Sequence, residues 1–142
     1  NFTVNLLVNS HNLLKIILPL TVTIGKTKPK KISLSMNWYR NAKFYEISNV
    51  KRKFQKIVAE LLINEKPLYL QKVNINYKLY FPDKRERDIG NFGAVIDKFL
   101  EDALVRLGYL KGDCFKCVKL IKIEFGGIDK NARCEVEIDE IS

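Results

Sequence analysis

The first 45 residues of this 142-residue chain contain no acidic residue. Residues 1–82 carry 14 Lys/Arg against three acids, a balance of +11, whereas residues 83–142 carry 11 Lys/Arg against 13 acids, a balance of −2. A surface with so few carboxylates attracts polyanions and releases their counterions, so nucleic acid is the expected partner. A coding sequence rich in A and T, which favours lysine, is the competing explanation of the charge.

Long hydrophobic runs are also lacking. No apolar run reaches the ~18 residues of a membrane span, and no basic start precedes a small-residue cleavage site, so neither a membrane partner nor a secretion signal is expected. With 46% apolar and 29% charged residues, the composition is that of a globular protein. We therefore expect a single domain over residues 1–142, with residues 1–14 as a peripheral extension.

Cysteine and histidine are scarce. The three cysteines, Cys114, Cys117 and Cys134, form an odd set that disfavours a disulfide framework and indicates a reducing, intracellular compartment. Cys114-x-x-Cys117, with Cys134 and His11, has the ligand types of a zinc site. However, a Cys pair at the entry to a strand would point to opposite faces, so buried structural thiols are the favoured interpretation.

Hydrophobic periodicity predicts an α+β fold with a mixed or largely antiparallel sheet of about five strands packed against two helices. Alternation is clearest over residues 73–81, and an apolar stripe makes residues 91–107 the most distinct helix. The other predicted elements are strands at 15–24, 32–38, 118–125 and 134–138 and a helix at 45–63, giving the order β-β-α-β-α-β-β.

Several acids lie close to basic residues between positions 84 and 113. Asp88 comes where a strand gives way to a helix, and Asp113 lies in a helix-to-strand turn. Because carboxylates repel phosphate unless a divalent cation lies between them, acids on a basic protein suggest metal-dependent phosphodiester chemistry. Simpler roles compete with this one: a helix N-cap for Asp88, turn formation for Asp113, and solvated helix charges for Asp97 and Asp102. On a helical wheel, Asp97 and Asp102 flank the apolar stripe on opposite sides, so they cannot easily share one metal.

These motifs resemble the RusA family of Holliday junction resolvases. The similarity is carried by Arg87-Asp88-Ile89-Gly90-Asn91, by the helix segment from Asp97 to Leu104, and by Gly108-Tyr109 with Asp113. The closing segments 125–130 and 135–138, and Tyr39-Arg40-Asn41, resemble a phage-type branch of that family. The resemblance spans roughly residues 15–139, and it implies a RusA-like fold.

The resemblance assigns roles residue by residue. Asp88 matches the first metal-binding Asp of the family pattern, and Asn91 matches the Asn that follows it. Lys98 matches the lysine of the helix, and Asp113 matches the second acid of a terminal pair. Asp97 is the expected third ligand and catalytic acid, with Asp102 as its alternative. Lys98 would stabilise charge on the reacting phosphate.

The implied activity is that of a magnesium-dependent, structure-selective endonuclease that resolves four-way DNA junctions by paired nicks, in recombination and repair. Mn²⁺ is an alternative cofactor, a homodimer would supply two sites for a symmetric substrate, and the location would be the cytoplasm of a bacterial or phage-infected cell. The residues expected to hold the phosphate backbones of branched double-stranded DNA are Lys26, Lys28, Lys30, Lys31, Arg40, Lys43, Arg52, Arg85 and Arg87.

Two positions depart from the family pattern. Gly90 replaces the second acid of the Asp-x-Asp pair, and Gly112 replaces the first acid of the terminal pair. Losing one carboxylate weakens a metal site. The alternative function is therefore a catalytically impaired protein on the same fold that binds junctions or other branched DNA; a general basic nucleic-acid-binding domain is a third, weaker interpretation.

Overall fold

The structure is a computed structural model that describes residues 4–8 and 11–142 of the chain. Its strands and helices follow one another as β1 (Val4–Val8), β2 (His11–Leu18), β3 (Thr21–Ile24), β4 (Lys30–Ser33), α1 (Met36–Asn41), α2 (Phe44–Leu61), β5 (Val73–Phe81), α3 (Ile89–Arg106), β6 (Val118–Ile128) and β7 (Arg133–Glu140). The predicted α+β class is confirmed at this level.

The main sheet is mixed, with the strand order β1-β2-β7-β5-β6. Only the β5–β6 pair is parallel, because α3 and the loop after it form a crossover that returns the chain to the start of β5. The strand pairs β1–β2, β2–β7 and β5–β7 are antiparallel. This arrangement leaves β6 at one edge of the sheet.

One face of the sheet is apolar because alternate residues of each strand point to it. Every second residue of β5, from Val73 to Phe81, is buried. The register aligns three apolar rows across the sheet, which are buried in β2, β7 and β5, and the row through its centre contains Ile16, Val136, Tyr77 and the partly buried Ile123. The opposite face carries polar and charged side chains in corresponding rows.

Helices α2 and α3 cover the apolar face. α2 buries Val50, Phe54 and Val58, and the Phe54 ring meets Phe99 of α3 edge-on at 5.8 Å between centroids. α3 lies close to β6 at Gly93, where a Cβ atom would come within 2.6 Å of Ile123 Cδ1. The absence of a side chain at Gly93 therefore lets the helix approach the strand edge.

Two predicted strands are wrong in detail. The strand predicted at 15–24 is two strands, because the chain turns at Pro19-Leu20 between β2 and β3. The strand predicted at 32–38 ends at Ser33, since Ser35 caps a short helix, its Oγ accepting a hydrogen bond from Trp38 N at 3.3 Å. β3 and β4 instead form a separate two-stranded sheet.

The helix predicted at 45–63 and the helix predicted at 91–107 are confirmed as α2 and α3 within two residues at each end. Strand β5 has the predicted bounds, and the two C-terminal strands are longer than predicted. Residues 11–14, expected in a peripheral extension, lie in β2 within the sheet, where Leu14 is fully buried.

Candidate nucleic-acid site and the carboxylates of α3

Asp88 forms the N-cap of α3. Its Oδ1 accepts a hydrogen bond from Gly90 N at 2.9 Å, and Asn91 N donates to the Asp88 carbonyl oxygen at 3.1 Å. The cap explains why a helix begins here, and the Asp88 side chain remains exposed. Capping uses one carboxylate oxygen for the helix and leaves the other facing solvent.

A basic cavity lies at the same end of the sheet. The cavity has a volume of about 660 Å³. Its lining includes Phe81 and four basic residues, Lys31, Arg85, Arg87 and Lys130. The parallel β5–β6 pair brings the loop after β5 and the turn between β6 and β7 to one place, and Lys31 comes from β4 of the smaller sheet. Four cationic side chains around one concave surface suit a phosphate backbone.

Arg87 is held in place by its own loop. Its guanidinium lies 5.2 Å from the centre of the Phe81 ring, donates to the Arg85 carbonyl oxygen at 3.0 Å and pairs with Asp83 at 3.0 Å. The hydrogen bond from Arg87 also lowers the pKa of Asp83. Arg87 therefore shapes the loop, whereas Arg85 presents an exposed side chain.

The other predicted DNA-binding residues do not share one surface. Lys26 and Lys28 are exposed in the β3–β4 turn, and Arg40 and Lys43 are exposed where α1 gives way to α2. Lys30 Nζ lies 2.7 Å from Glu46 Oε1, and Glu46 also accepts a hydrogen bond from Trp38 Nε1 at 2.9 Å. Arg52 lines a different cavity, described below.

A hydrogen-bonded group of three side chains occupies the flank of α3 that faces the sheet. The buried Tyr77 hydroxyl donates to Asp97 Oδ1 at 2.6 Å, and Glu101, one helical turn on, hydrogen-bonds to Asp97. Burial, the hydrogen bond and the charge of Asp97, and then the charges of Asp113 and Asp102 raise the pKa of Glu101 to about 9. Burial and Asp97 raise the pKa of Tyr77 well above its usual value. Glu101 is therefore protonated at neutral pH. Its proton removes the charge repulsion that would otherwise keep the carboxyl groups of Glu101 and Asp97 apart.

Asp102 and Asp113 lie on the other flank of α3, beside α2. They line a cavity of about 610 Å³ together with Lys51, Arg52 and Arg106. Asp102 Oδ2 lies 3.2 Å from Lys51 Nζ. The carboxylates here are compensated by protein cations, and the predicted separation of Asp97 from Asp102 holds in the structure.

The two principal acids of the expected metal site lie at opposite ends of the molecule. Asp88 follows the end of β5, whereas the loop that carries Asp113 lies at its start, where Val73 N donates to the Cys117 carbonyl oxygen at 2.7 Å. A nine-residue strand such as β5 spans roughly 30 Å. Asp88 and Asp113 therefore cannot hold one metal ion within a single chain, because the crossover helix runs the length of the sheet.

The third expected ligand is also remote. Asp97 is nine residues into α3, about 13 Å along the axis from Asp88, and Lys98 is exposed next to it. In the described residues, 4–8 and 11–142, no group of three or more His, Cys, Asp or Glu side chains is arranged to hold a metal ion. Of the expected catalytic residues, Asp88 and Asn91 lie together at the start of α3, Asp97 and Lys98 lie near its middle, and Asp113 lies beyond its end.

Two residues of these sites are not among the predicted site residues. Glu101 is one, although its spacing of four from Asp97 predicts a shared helix face. Lys130, in the turn after β6, is the other. A parallel β5–β6 pair would have placed that turn beside the loop after β5, but parallel pairing could not be deduced from the pattern.

The cysteines form no cluster. Cys114 is exposed in a turn before β6, whereas Cys117 and Cys134 are buried, and burial raises the pKa of Cys134 to about 12. The Cys114–Cys117 segment is a turn, with Cys117 N donating to the Cys114 carbonyl oxygen at 3.0 Å. The expectation of buried thiols is thus correct for two of the three cysteines.

In the part of the chain that the structure describes, no helix is both long and apolar enough to span a membrane. No protein-family model matches the sequence, and a search of curated proteins found no significant similarity.

Proposed function

We propose that this protein binds branched DNA, four-way junctions in particular, as a homodimer, and that it acts there as a structure-selective, RusA-like endonuclease. The observation that carries the proposal is the basic cavity lined by Lys31, Arg85, Arg87 and Lys130, which lies at the sheet end where Asp88 caps α3. The resemblance of residues 87–113 to the resolvase motif supports the same function.

The basic cavity supports binding more directly than cleavage. Its cations approach from three separate segments, so they can contact phosphates on converging strands and position them without reading sequence. Asp88 does not line the cavity, but it follows Arg87 in the sequence, and its exposed carboxylate would repel an approaching phosphate unless a cation or a proton intervened. A carboxylate so near the basic residues favours DNA binding that involves a metal ion at Asp88 over binding by a basic surface alone.

Magnesium is part of the proposal, with Mn²⁺ as its alternative, but the ligands in one chain do not fit it. Among the described residues, Asp88 belongs to no group of three or more potential metal ligands, Asp97 is hydrogen-bonded to Tyr77, and Asp102 is paired with Lys51. Hard divalent cations require several oxygen ligands, and one carboxylate is a weak site. Within one chain, the described residues therefore do not form a magnesium site.

The second candidate is a junction-binding protein without cleavage activity. It is favoured by Gly90, which occupies the position of the second acid in the family motif. A Cβ atom at position 90 would lie 3.4 Å from Asp88 Oδ1, with no closer neighbour. Space for a side chain is therefore present at this position, although the carboxylate of the family motif is absent.

The experiment uses a labelled synthetic four-way junction and a linear duplex of equal length, each with and without Mg²⁺. Three proteins are compared: the natural chain, Asp88→Asn, and Gly90→Asp. Asp88→Asn keeps the helix cap while removing the charge. Gly90→Asp adds a carboxylate next to Asp88 at an exposed helix position.

Paired nicks by the natural chain that require Mg²⁺ and vanish in Asp88→Asn would establish the endonuclease. Tight junction binding without nicks, together with nicking by Gly90→Asp, would establish the second candidate. Equal affinity for the junction and the linear duplex would contradict both, leaving a general nucleic-acid-binding domain.

A further inference from the structure

Two of the three cysteines lie in one tight turn, between the end of α3 and the start of β6. The Cys114 carbonyl oxygen accepts hydrogen bonds from Cys117 N and from Val118 N, both at 3.0 Å. A turn closed by a bond between residues three apart brings its outer Cα atoms within roughly 7 Å of each other. Because disulfides join Cα atoms about 4.4–6.8 Å apart, the backbone already holds Cys114 and Cys117 near bridging distance.

The two thiols have different access to solvent. Cys114 is exposed, whereas Cys117 is only 6% exposed. The Cys117 sulfur lies close to the backbone just before Cys114, since a Cβ atom at Gly112 would be 3.5 Å from Cys117 Sγ. An accessible thiol next to a sheltered one is the arrangement of a pair in which the first cysteine reacts and the second resolves the product.

The charge around the turn favours an anionic reagent. Residues 103–123 contain five Lys/Arg and a single acid, Asp113. Of these cations, Lys111 and Lys116 are exposed and lie within three residues of Cys114. A locally positive surface raises the concentration of anions near it. A small disulfide with net negative charge, such as oxidised glutathione, is therefore a reagent that this turn would attract.

The third cysteine cannot take part. Cys134 is fully buried in β7, where it lies opposite Leu79 of β5. Cys117 lies at the other end of β5, because its carbonyl oxygen accepts a hydrogen bond from Val73 N at 2.7 Å. Six residues of a strand span roughly 20 Å, far beyond the reach of a disulfide. Any bridge within the folded chain must therefore join Cys114 to Cys117.

We propose that Cys114 and Cys117 form a reversible oxidation site that takes a small anionic disulfide as its oxidant. Cys114 loses its proton to solvent, and its thiolate attacks one sulfur of the reagent. The S–S bond of the reagent breaks, one half leaves as a thiolate that takes up a proton, and the other half stays on Cys114 as a mixed disulfide.

The second step closes the turn. Cys117 loses its proton and attacks the Cys114 sulfur of the mixed disulfide. This forms the Cys114–Cys117 bond and releases the second half of the reagent as a thiol. In total the two cysteines lose two electrons and two protons, and the reagent disulfide is reduced to two thiols.

The bridge acts as a reversible protection of Cys114 and adds little to the stability of the fold. It closes a loop of only four residues, so it removes little conformational entropy from the unfolded chain. An exposed thiol without a neighbour is oxidised in steps to forms that cells do not repair. A partner at position 117 converts the first oxidation product into a disulfide that reduced glutathione reopens.

Intact-protein mass spectrometry tests the proposal on the full, folded chain. The reduced protein is mixed with excess oxidised glutathione, quenched with acid at intervals and weighed. The natural chain should lose the mass of two hydrogen atoms and retain no glutathione, and excess reduced glutathione should reverse the change. Proteolysis under non-reducing conditions should then yield a peptide that carries a Cys114–Cys117 link.

Single substitutions separate the two steps. Cys117→Ser should stop the reaction at the mixed disulfide and retain one glutathione. Cys114→Ser should react about tenfold more slowly or less, because its remaining thiols are buried. Cys134→Ser is the matched control and should behave as the natural chain does. Circular dichroism shows whether each variant is folded.

Three results would overturn the proposal: a natural chain that does not react, one that keeps glutathione on Cys114, and one whose bridge includes Cys134. Each is read from the natural chain, so the outcome does not depend on whether a variant folds. The reaction involves no DNA, and its failure would leave the proposed junction binding unaffected.

Discussion

The two ends of α3 hold acids in opposite circumstances. At its N-terminus, Asp88 is exposed, caps the helix and directly follows Arg87, which lines the basic cavity. Toward its C-terminus, Asp97 and Glu101 are joined to each other and to Tyr77, and Asp102 pairs with Lys51. The acids toward the C-terminus are already neutralised by a proton or paired with protein groups, so they stabilise the fold. Of these acids, only the exposed Asp88 remains available to a ligand. The number of carboxylates in a motif does not show which of them are exposed and which are paired.

The largest expected effect concerns the basic end. Lys31→Glu with Arg85→Glu should weaken junction binding about 100-fold at low salt, because two phosphate contacts become repulsive. Electrophoretic mobility shift or fluorescence anisotropy measures the change. Lys66→Glu with Lys72→Glu makes the same change in net charge at the opposite end of the sheet and should have a much smaller effect. An equal loss with both pairs would show that net charge, not the cavity, determines binding.

At the other end, Tyr77→Phe should lower the free energy of unfolding by on the order of 2–3 kcal/mol, because a buried hydrogen bond to a carboxylate is lost. Urea unfolding gives the value. Tyr45→Phe, at an exposed site, is the control for the loss of a hydroxyl. A Tyr77→Phe variant as stable as the natural chain would mean that water readily replaces the Tyr77 hydroxyl as a partner of Asp97. Asp97 would then also be available to ligands.

Glu101 makes the same end sensitive to pH. Because its pKa is raised to about 9 in the folded chain and the ordinary value is near 4.5, folding takes up a proton between these values. The stabilisation is complete below pH 4.5 and is lost as pH rises toward 9. Glu101→Gln keeps a hydrogen-bond donor to Asp97 without a proton to lose, so it should exceed the natural chain in stability by about 2 kcal/mol at pH 8.

The comparison is made by urea unfolding at several pH values, with Glu60→Gln as the control at an exposed helix position. The gap between Glu101→Gln and the natural chain should widen steadily from pH 5 to pH 8. A gap that stayed constant would show that Glu101 is ionised in the folded protein.

The smallest effect separates the two roles of Asp88. Asp88→Ala should lower the free energy of unfolding by about 1 kcal/mol, whereas Asp88→Asn should leave it nearly unchanged, since asparagine caps helices as well as aspartate does. If both variants lose Mg²⁺-dependent nicking, the charge of Asp88 serves the chemistry independently of the cap. Loss of nicking in Asp88→Ala alone would reduce its role to holding the helix.

Much of the fold followed from local pattern. The alternation over residues 73–81 and the stripe along residues 91–107 are strong because each buries one complete face, and both elements are present with nearly the predicted bounds. The prediction of a strand at 32–38 is wrong because Ser35 caps a short helix. That cap depends on one side-chain hydrogen bond, which the apolar pattern does not encode.

The sequence by itself determined the basic N-terminal half, the α+β class and the helix start at Asp88, because charge, periodicity and capping depend on neighbours within a few residues. Tertiary structure decided the placement of the acids. The parallel pairing of β5 with β6 requires α3 to run the length of the sheet, and that crossover carries Asp113 away from Asp88 while bringing Lys130 to the end of the sheet where Arg85 lies. Spacing along the chain fixes which face of an element a residue occupies, but only strand order and direction fix which end of the molecule it reaches.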